Sequence, residues 1–291
     1  MQPDTETMET LNPKLPELDY STDDVLHDLV DFIEDFPSPP KILSRILELT
    51  SSPTTMVEDV AEVISSEPSI AVQLLKQSNS AFYGRSRTIS STHEAVVMLG
   101  FQTIRDFVIT AAASGLYQSS GLAKELRQDL WEHSLATAIL ARLIAARNVD
   151  INPGDAYIGG LLHDIGKIIL LEQYGEKYSD ILQETRQTTD EHFEAEHNKF
   201  GFTHSIVGAV LIDKWNLPEG LVRVVGEHHC PDESSDLTKF IYRANAVATV
   251  LGHNLHMPSP VQVELMKNED YSQEIEVFDD ILAEQIELFD N

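Results

Sequence analysis

Residues 161–167 read Leu161-Leu162-His163-Asp164-Ile165-Gly166-Lys167, and the interpretation of the whole chain depends on this stretch. It lies within an apolar segment, where burying an imidazole beside a carboxylate costs free energy unless a partner compensates. A divalent metal is one such partner, because neutral imidazole and carboxylate both bind first-row metals. Lys167 is another, since it follows Asp164 by about one helical turn. The alternative is a core histidine hydrogen-bonded to its neighbouring aspartate. The other histidines of the chain bear on this choice.

Composition indicates an all-α fold. The chain has 291 residues, of which 42% are hydrophobic, and strand-like alternation is scarce. Residues 1–20 hold three prolines and scattered acids, which predicts a disordered tail. Ser21 to Phe36 and Ala156 to Leu171 are each predicted to form one helix. Ser91 and Glu94 predict a capping box, and Gly100 predicts the end of its helix.

The net charge of −28 is concentrated at the two ends. Residues 1–35 carry eleven acids and one lysine, and residues 261–291 carry ten acids and one lysine. Such acidic ends repel phosphate backbones, so we expect no nucleic-acid binding. One cysteine, no evident signal peptide and no apolar run of about 18 residues together predict a cytoplasmic protein without a membrane span.

Several polar residues lie on otherwise apolar predicted helices, and five of them are histidines. The set is Asp129, His133, His163, Asp164, Lys167, His204, His228 and His229. Asp129 and His133 are four residues apart and therefore share a helix face. If the five imidazoles converge, they would bind one or two transition metals. Asp164 would bridge two metals about 3.5–4 Å apart, and Lys167 would face a phosphate oxygen.

The remaining histidines are interpreted as outside any site. They are His27, His93, His192, His197, His253 and His256. Cys230 directly follows the His228-His229 pair, and we interpret it as a buried bystander rather than a ligand.

With these motifs in view, the chain resembles the HDOD family of bacterial signalling proteins, a branch of the HD superfamily of metal phosphohydrolases. The resemblance covers about residues 36–231. Its characteristic segments are residues 64–70, 75–83, 89–100, 131–134, 160–166, 196–208 and 215–218.

The resemblance implies an HDOD fold, with two packed helical subdomains of which the second is HD-domain-like. We place the disordered tail at 1–20, the first subdomain at 21–119, the HD-like subdomain at 120–257 and an acidic C-terminal extension at 258–291. The resemblance also implies roles for individual residues. Asp129, His133, His163, Asp164, His204, His228 and His229 correspond to metal ligands of the related HD-GYP phosphodiesterases, and Lys167 corresponds to a phosphate-facing lysine. Two positions depart from that pattern. Cys230-Pro231-Asp232 replaces the Gly-Tyr-Pro loop, and Asn245 replaces a ligand aspartate, so we predict Asn245 as a ligand that is poorer than a carboxylate.

Two functional hypotheses follow. In the favoured one, the chain is a non-catalytic regulatory or scaffold module that binds iron, manganese or zinc, and acts through a signalling protein partner or a phosphorylated small ligand. In the alternative, it is a metal-dependent phosphohydrolase or cyclic-dinucleotide phosphodiesterase, with Asp164 and Lys167 as its catalytic residues. Amphipathic helices such as the acidic tail also leave a homodimer open.

Overall fold

A computed structural model of the chain describes residues 39–79, 88–118, 123–188, 192–229 and 236–289. These residues form helices and connecting segments, with no strand among them, so the all-α prediction is confirmed. The predicted tail, the helix predicted from Ser21 to Phe36, His27 and Cys230 lie outside the described residues.

The first half is a group of short helices packed on one long helix. Helices α1 (Lys41–Ser51), α2 (Val57–Ser65) and α3 (Pro68–Ser78) contact α4 (Thr92–Tyr117). Pro68 occupies the first turn of α3. Backbone amides in a first turn have no acceptor within the helix, so proline loses no hydrogen bond there.

The second half contains the helices that surround residues 161–167. They are α5 (Lys124–Ala145), α6 (Pro153–Leu162), α7 (Ile165–Tyr174), α8 (Glu176–Glu184), α9 (His192–Phe200), α10 (His204–Lys214), α11 (Glu219–Glu227) and α12 (Asp236–Val250). Helix α5 packs along α6 and α12, and α10 packs against α7 and α11. The mostly buried helices α5, α6 and α7 thus lie at the centre of the fold.

Two glycines allow these helices to approach closely. A Cβ on Gly160 would lie 2.8 Å from the Ala138 Cα, at the crossing of α6 and α5. A Cβ on Gly166 would lie 1.9 Å from the His204 carbonyl oxygen, at the crossing of α7 and α10. Only glycine fits at either crossing, and the second crossing brings the start of α10 next to Asp164.

The prediction of one helix from Ala156 to Leu171 is wrong. Helix α6 ends at Leu162 and α7 begins at Ile165, and Asp164 between them has a non-helical backbone (φ −100°, ψ 10°). Asn152 starts α6 earlier than predicted, because its side chain accepts a hydrogen bond from the Gly154 amide at 2.8 Å. The break places His163 at the end of one helix and Asp164 at the start of the next.

The predicted capping box at α4 is half correct. The Ser91 hydroxyl accepts a hydrogen bond from the Glu94 amide at 3.1 Å, but the Glu94 carboxylate accepts from Ser90 rather than from Ser91. The predicted helix end at Gly100 is confirmed, because its φ of +77° is non-helical and α4 consists of two helical parts that meet at a kink there.

The C-terminal extension packs onto both halves. Helix α13 (Pro260–Asn268) contacts α12, and α14 (Ser272–Phe289) contacts α5 and α3. The buried Glu274 carboxylate pairs with Arg147 at 2.7 Å. The boundaries proposed at residues 20, 119 and 257 remain predictions.

One described helix, α4, is long and apolar enough by composition to cross a membrane. The sequence predicted no such segment. The observation is weak evidence for a span, because core helices of globular proteins meet the same criteria, and α4 is broken at Gly100.

Candidate metal centre

Asp164 lies at the junction of α6 and α7, and its side chain is 2% exposed. The Lys167 ammonium donates to Asp164 Oδ2 at 2.7 Å from one turn further along α7. Burial opposes ionisation of Asp164, but Lys167 and the adjacent imidazoles outweigh it and hold the pKa of Asp164 well below its usual range. Asp164 is therefore a buried carboxylate anion, and side-chain nitrogen atoms lie beside each of its two oxygens.

The first group of histidines faces Asp164 Oδ2. His133 from α5 and His163 from the end of α6 place their Nε2 atoms 3.4 and 3.5 Å from this oxygen. The two Nε2 atoms are 3.2 Å apart. Together with Asp164, these residues offer three ligand atoms that lie within 4.8 Å of one another.

The second group faces the other oxygen, Asp164 Oδ1. His204 at the start of α10 and His228 at the end of α11 place Nε2 atoms 3.2 and 3.4 Å from it. His229 follows His228, and its Nε2 lies 2.9 Å from that of His204. These residues form a second set of ligand atoms within 4.8 Å of one another. Each carboxylate oxygen of Asp164 thus belongs to a different group.

In four of the five histidines, Nδ1 lies within hydrogen-bonding distance of an oxygen outside the cluster. His163 and His228 donate to the carbonyl oxygens of Gly160 and Val225, at 2.7 and 2.8 Å. His133 donates to the His253 carbonyl at 2.6 Å, and His204 donates to the Glu196 carboxylate. A neutral ring that donates from Nδ1 leaves the lone pair of Nε2 directed at the centre.

Burial favours the neutral form of most of these rings. It lowers the pKa of His163, His228 and His229 below the ordinary imidazole value. Burial also acts to lower the pKa of His204, but the Glu196 carboxylate outweighs it and the pKa is raised.

The arrangement fits a bound cation. Asp164 Oδ1 is buried and accepts no hydrogen bond from any residue that the structure describes, although two imidazole nitrogens lie beside it. Lone pairs on adjacent Nε2 atoms repel one another unless a proton or a metal lies between them. Two nitrogens bound to one zinc at about 2.1 Å and tetrahedral angles are about 3.4 Å apart, close to the spacing of 3.2 Å between His133 and His163.

Two other predicted ligands have different surroundings. The Asp129 carboxylate forms an ion pair with Arg186 and is not among the clustered ligand atoms. Asn245 lines the cleft beside the centre, where its Oδ1 lies 3.4 Å from the Thr249 hydroxyl. Their proposed role as ligands remains a prediction.

Sequence reasoning missed several residues that shape the site. Glu196 supports His204, and its carboxylate also accepts a hydrogen bond from the Tyr178 hydroxyl at 2.6 Å. His192 and His256, which the sequence placed outside any site, line the cleft together with Gln262 from the C-terminal extension. For Glu196 the sequence offered one signal, its place in the family-like segment 196–208. His93 is exposed and lies 3.3 Å from Glu58, as expected for a residue outside the site.

Comparisons with known proteins agree with this fold. Residues 36–231 match the profile of the family described as HDOD domain. An uncharacterised protein of Treponema pallidum (strain Nichols) is 27% identical over 240 residues, which are 80% of this chain and 46% of that protein. The chain therefore spans about half the length of that relative.

Solved structures show the same architecture. An HDOD domain protein of unknown function from Geobacter sulfurreducens superposes with a TM-score of 0.73 at 24% identity, covering 91% of this chain and 96% of the other. A protein of Shewanella amazonensis SB2B, provisionally named a phosphohydrolase, has a TM-score of 0.71 at 21% identity, with 90% and 97% covered. A protein of Marinobacter aquaeolei VT8, provisionally named a signal transduction protein, has a TM-score of 0.70 at 21% identity, with 91% and 63% covered. At these identities the likeness shows the fold alone.

Proposed function

This chain belongs to the HDOD family, and from that premise we propose that it is a cytoplasmic signalling module with a resident divalent metal centre. The metal would be iron, manganese or zinc, as one or two ions. The module would act through a protein partner or a phosphorylated small ligand. A structural relative provisionally named a signal transduction protein supports this assignment.

One observation carries the proposal. Asp164 lies between two groups of imidazole nitrogens, and each of its oxygens serves one group. Five imidazoles and a single carboxylate are a nitrogen-rich donor set, which suits transition metals better than magnesium or calcium. A bound divalent ion would act as a Lewis acid that attracts and polarises an anionic ligand.

The charge of the centre favours ligand binding. The clustered ligands contribute one negative charge, and Lys167 balances it, so each divalent ion adds an uncompensated +2. Among the described residues, Asp164 provides the one carboxylate of the clustered ligand atoms, since Asp129 pairs with Arg186 and residue 245 is an asparagine. A phosphoryl group would supply the missing negative charge.

Metal analysis of matched variants tests the proposal. The protein is purified without chelator, and its iron, manganese and zinc are measured for wild type, Asp164→Asn and Asp180→Asn, the last a control at an exposed aspartate of α8. We expect bound metal in wild type and in Asp180→Asn, and loss of metal from Asp164→Asn, because an amide is a weaker ligand than a carboxylate. A wild-type protein without metal, or an Asp164→Asn variant with full metal content, would contradict the proposal.

Phosphodiester hydrolysis is the second candidate. The bridging position of Asp164 between two ligand groups favours it, since paired metals serve phosphoryl transfer in many enzymes. A structural relative provisionally named a phosphohydrolase points the same way. Lys167 would then hold Asp164 ionised and place its ammonium beside the substrate.

Incubation of the metal-loaded protein with cyclic dinucleotides separates the two candidates. Turnover that disappears in Asp164→Asn but persists in Asp180→Asn supports an enzyme. Bound metal without turnover supports the signalling module. A homodimer built on the amphipathic C-terminal extension remains a proposal, and sedimentation velocity would test it.

A further inference from the structure

We infer that His192 is the hydrogen-bond donor of a phosphoryl-binding subsite next to the metal centre. The inference rests on the proposed function, because the metal would hold one side of the phosphoryl group. It assigns a role to a histidine that lies outside both groups of ligand atoms.

The position of His192 follows from helix α9. Glu196 supports His204 from this helix, and His192 lies one turn earlier on the same face. That geometry directs His192 into the cleft that Asp164, Lys167 and Asn245 also line.

His192 is buried, and one of its ring nitrogens lacks a partner among the described residues. Its side chain is 1% exposed, and its Nε2 has no hydrogen-bond partner in the part of the chain that the structure describes. A buried polar atom without a partner costs free energy, and in folded proteins such an atom often binds a ligand or an ordered water. The neighbouring His256 differs, because its Nδ1 and Nε2 lie 2.9 and 3.0 Å from the Met257 carbonyl and the Asn254 amide.

The His256 ring helps to hold the His192 ring in place. The two rings pack edge to face with centroids 5.4 Å apart and an interplanar angle of 71°. A donor whose orientation is already set loses little entropy when a ligand binds.

The cleft selects an anion. The chain carries 48 acidic residues, but Asp164 is the only carboxylate among the described residues that line the cleft. The other polar groups there are imidazoles, amides, a phenol and the Lys167 ammonium, most of which can donate hydrogen bonds. A tetrahedral phosphoryl group has enough oxygens to reach both a metal and His192, whether it is free phosphate or part of a small ester.

The test measures the affinity of the metal-loaded protein for two probes, inorganic phosphate and glycerol 1-phosphate, by calorimetry. His192→Phe keeps a ring of similar size against His256 and removes both nitrogens. His192→Gln restores an N–H donor, and His93→Gln is a control at an exposed histidine. We expect His192→Phe to keep its metal and to weaken phosphate binding about ten-fold or more, the usual effect of losing a hydrogen bond to a charged group.

The outcomes separate this inference from the proposed function. Partial recovery of affinity in His192→Gln and unchanged affinity in His93→Gln support the subsite, and the stronger probe identifies free or esterified phosphate as the ligand. Unchanged phosphate affinity in a metal-loaded His192→Phe overturns the subsite and leaves the metal centre intact. Failure of the metal-loaded wild type to bind either probe has the same consequence. Loss of metal from both His192→Phe and His192→Gln would make His192 a support of the centre and also overturn the inference. A wild-type protein without metal overturns both proposals.

Discussion

Glu196 supports His204 from the side opposite Asp164. The Glu196 Oε2 atom lies 2.7 Å from His204 Nδ1 and also accepts the His204 backbone amide at 2.7 Å, and both side chains are fully buried. A carboxylate behind a ligand histidine sets the ring orientation and raises the basicity of the opposite nitrogen.

Glu196→Gln should therefore weaken metal binding without unfolding the protein. An amide can still accept from His204 and donate to the Tyr178 oxygen, but it lacks the charge that strengthens Nε2 as a ligand. We expect an affinity loss of about 10- to 100-fold, measured by competition with a chromogenic chelator.

Glu196→Ala provides the comparison. It leaves the His204 amide, the His204 ring and the Tyr178 hydroxyl without their buried partner. Each unsatisfied group costs about 1–3 kcal/mol of folding free energy. It should lower the free energy of unfolding as well as the metal affinity. Wild-type metal affinity in Glu196→Gln would show that Glu196 only stabilises the fold.

Gly166→Ala should destabilise the protein. The added Cβ would meet the His204 carbonyl at 1.9 Å, so α7 and α10 must separate. We expect a loss of about 3 kcal/mol in urea unfolding, together with weaker metal binding because His204 moves away from Asp164.

Gly115→Ala is the matched control. Gly115 lies within α4, and a Cβ there would meet no atom of the described residues within 4 Å. It should stabilise the protein by about 0.5–1 kcal/mol, because alanine favours the helix. Similar unfolding energies for the two variants would contradict the close crossing of α7 and α10.

The pH dependence of stability should reveal the buried Asp106. Burial raises the pKa of Asp106, although Arg142 at 2.9 Å and Arg105 oppose the shift. A raised pKa in the folded state means that the folded protein binds the proton more tightly than the unfolded chain. The stability that this proton contributes is present below the unfolded-state pKa and is lost as pH rises through the folded-state pKa.

Asp106→Asn removes this titration. The unfolding free energy of Asp106→Asn minus that of wild type should increase as pH rises from about the ordinary carboxyl pKa of 3.9 toward neutrality. Urea unfolding at a series of pH values measures it. A difference that falls with rising pH would mean that the arginines dominate over burial.

Metal removal should lower the thermal stability of the folded protein. A ligand that binds only the native state contributes about 2.7 kcal/mol at a free concentration 100 times its Kd. Dialysis against a chelator should therefore lower Tm by roughly 5–10 °C in wild type, and re-addition of metal should restore it. Asp164→Asn should show little change with either treatment, and an equal shift in this variant would place the metal elsewhere.

Local sequence determined the helical class and most of the helices of this protein. Apolar spacing, the Pro68 start and the Ser91 cap act within one or two turns, so they can be read without knowledge of the fold. The break between His163 and Asp164 was missed, because no proline or cap residue marks it and the flanking segments are both apolar.

The tertiary structure alone decided which polar residues meet. The five histidines around Asp164 come from α5, from the ends of α6 and α11, and from the start of α10, and close helix crossings at Gly160 and Gly166 bring these segments together. Asp129 lies four residues before His133 on the same helix face, as expected of a ligand, yet it pairs with Arg186, 57 residues away in the chain. His192 and Gln262 gave no sequence signal of their own. Side-chain environment depends on contacts between distant segments, and periodicity describes only neighbours on one helix.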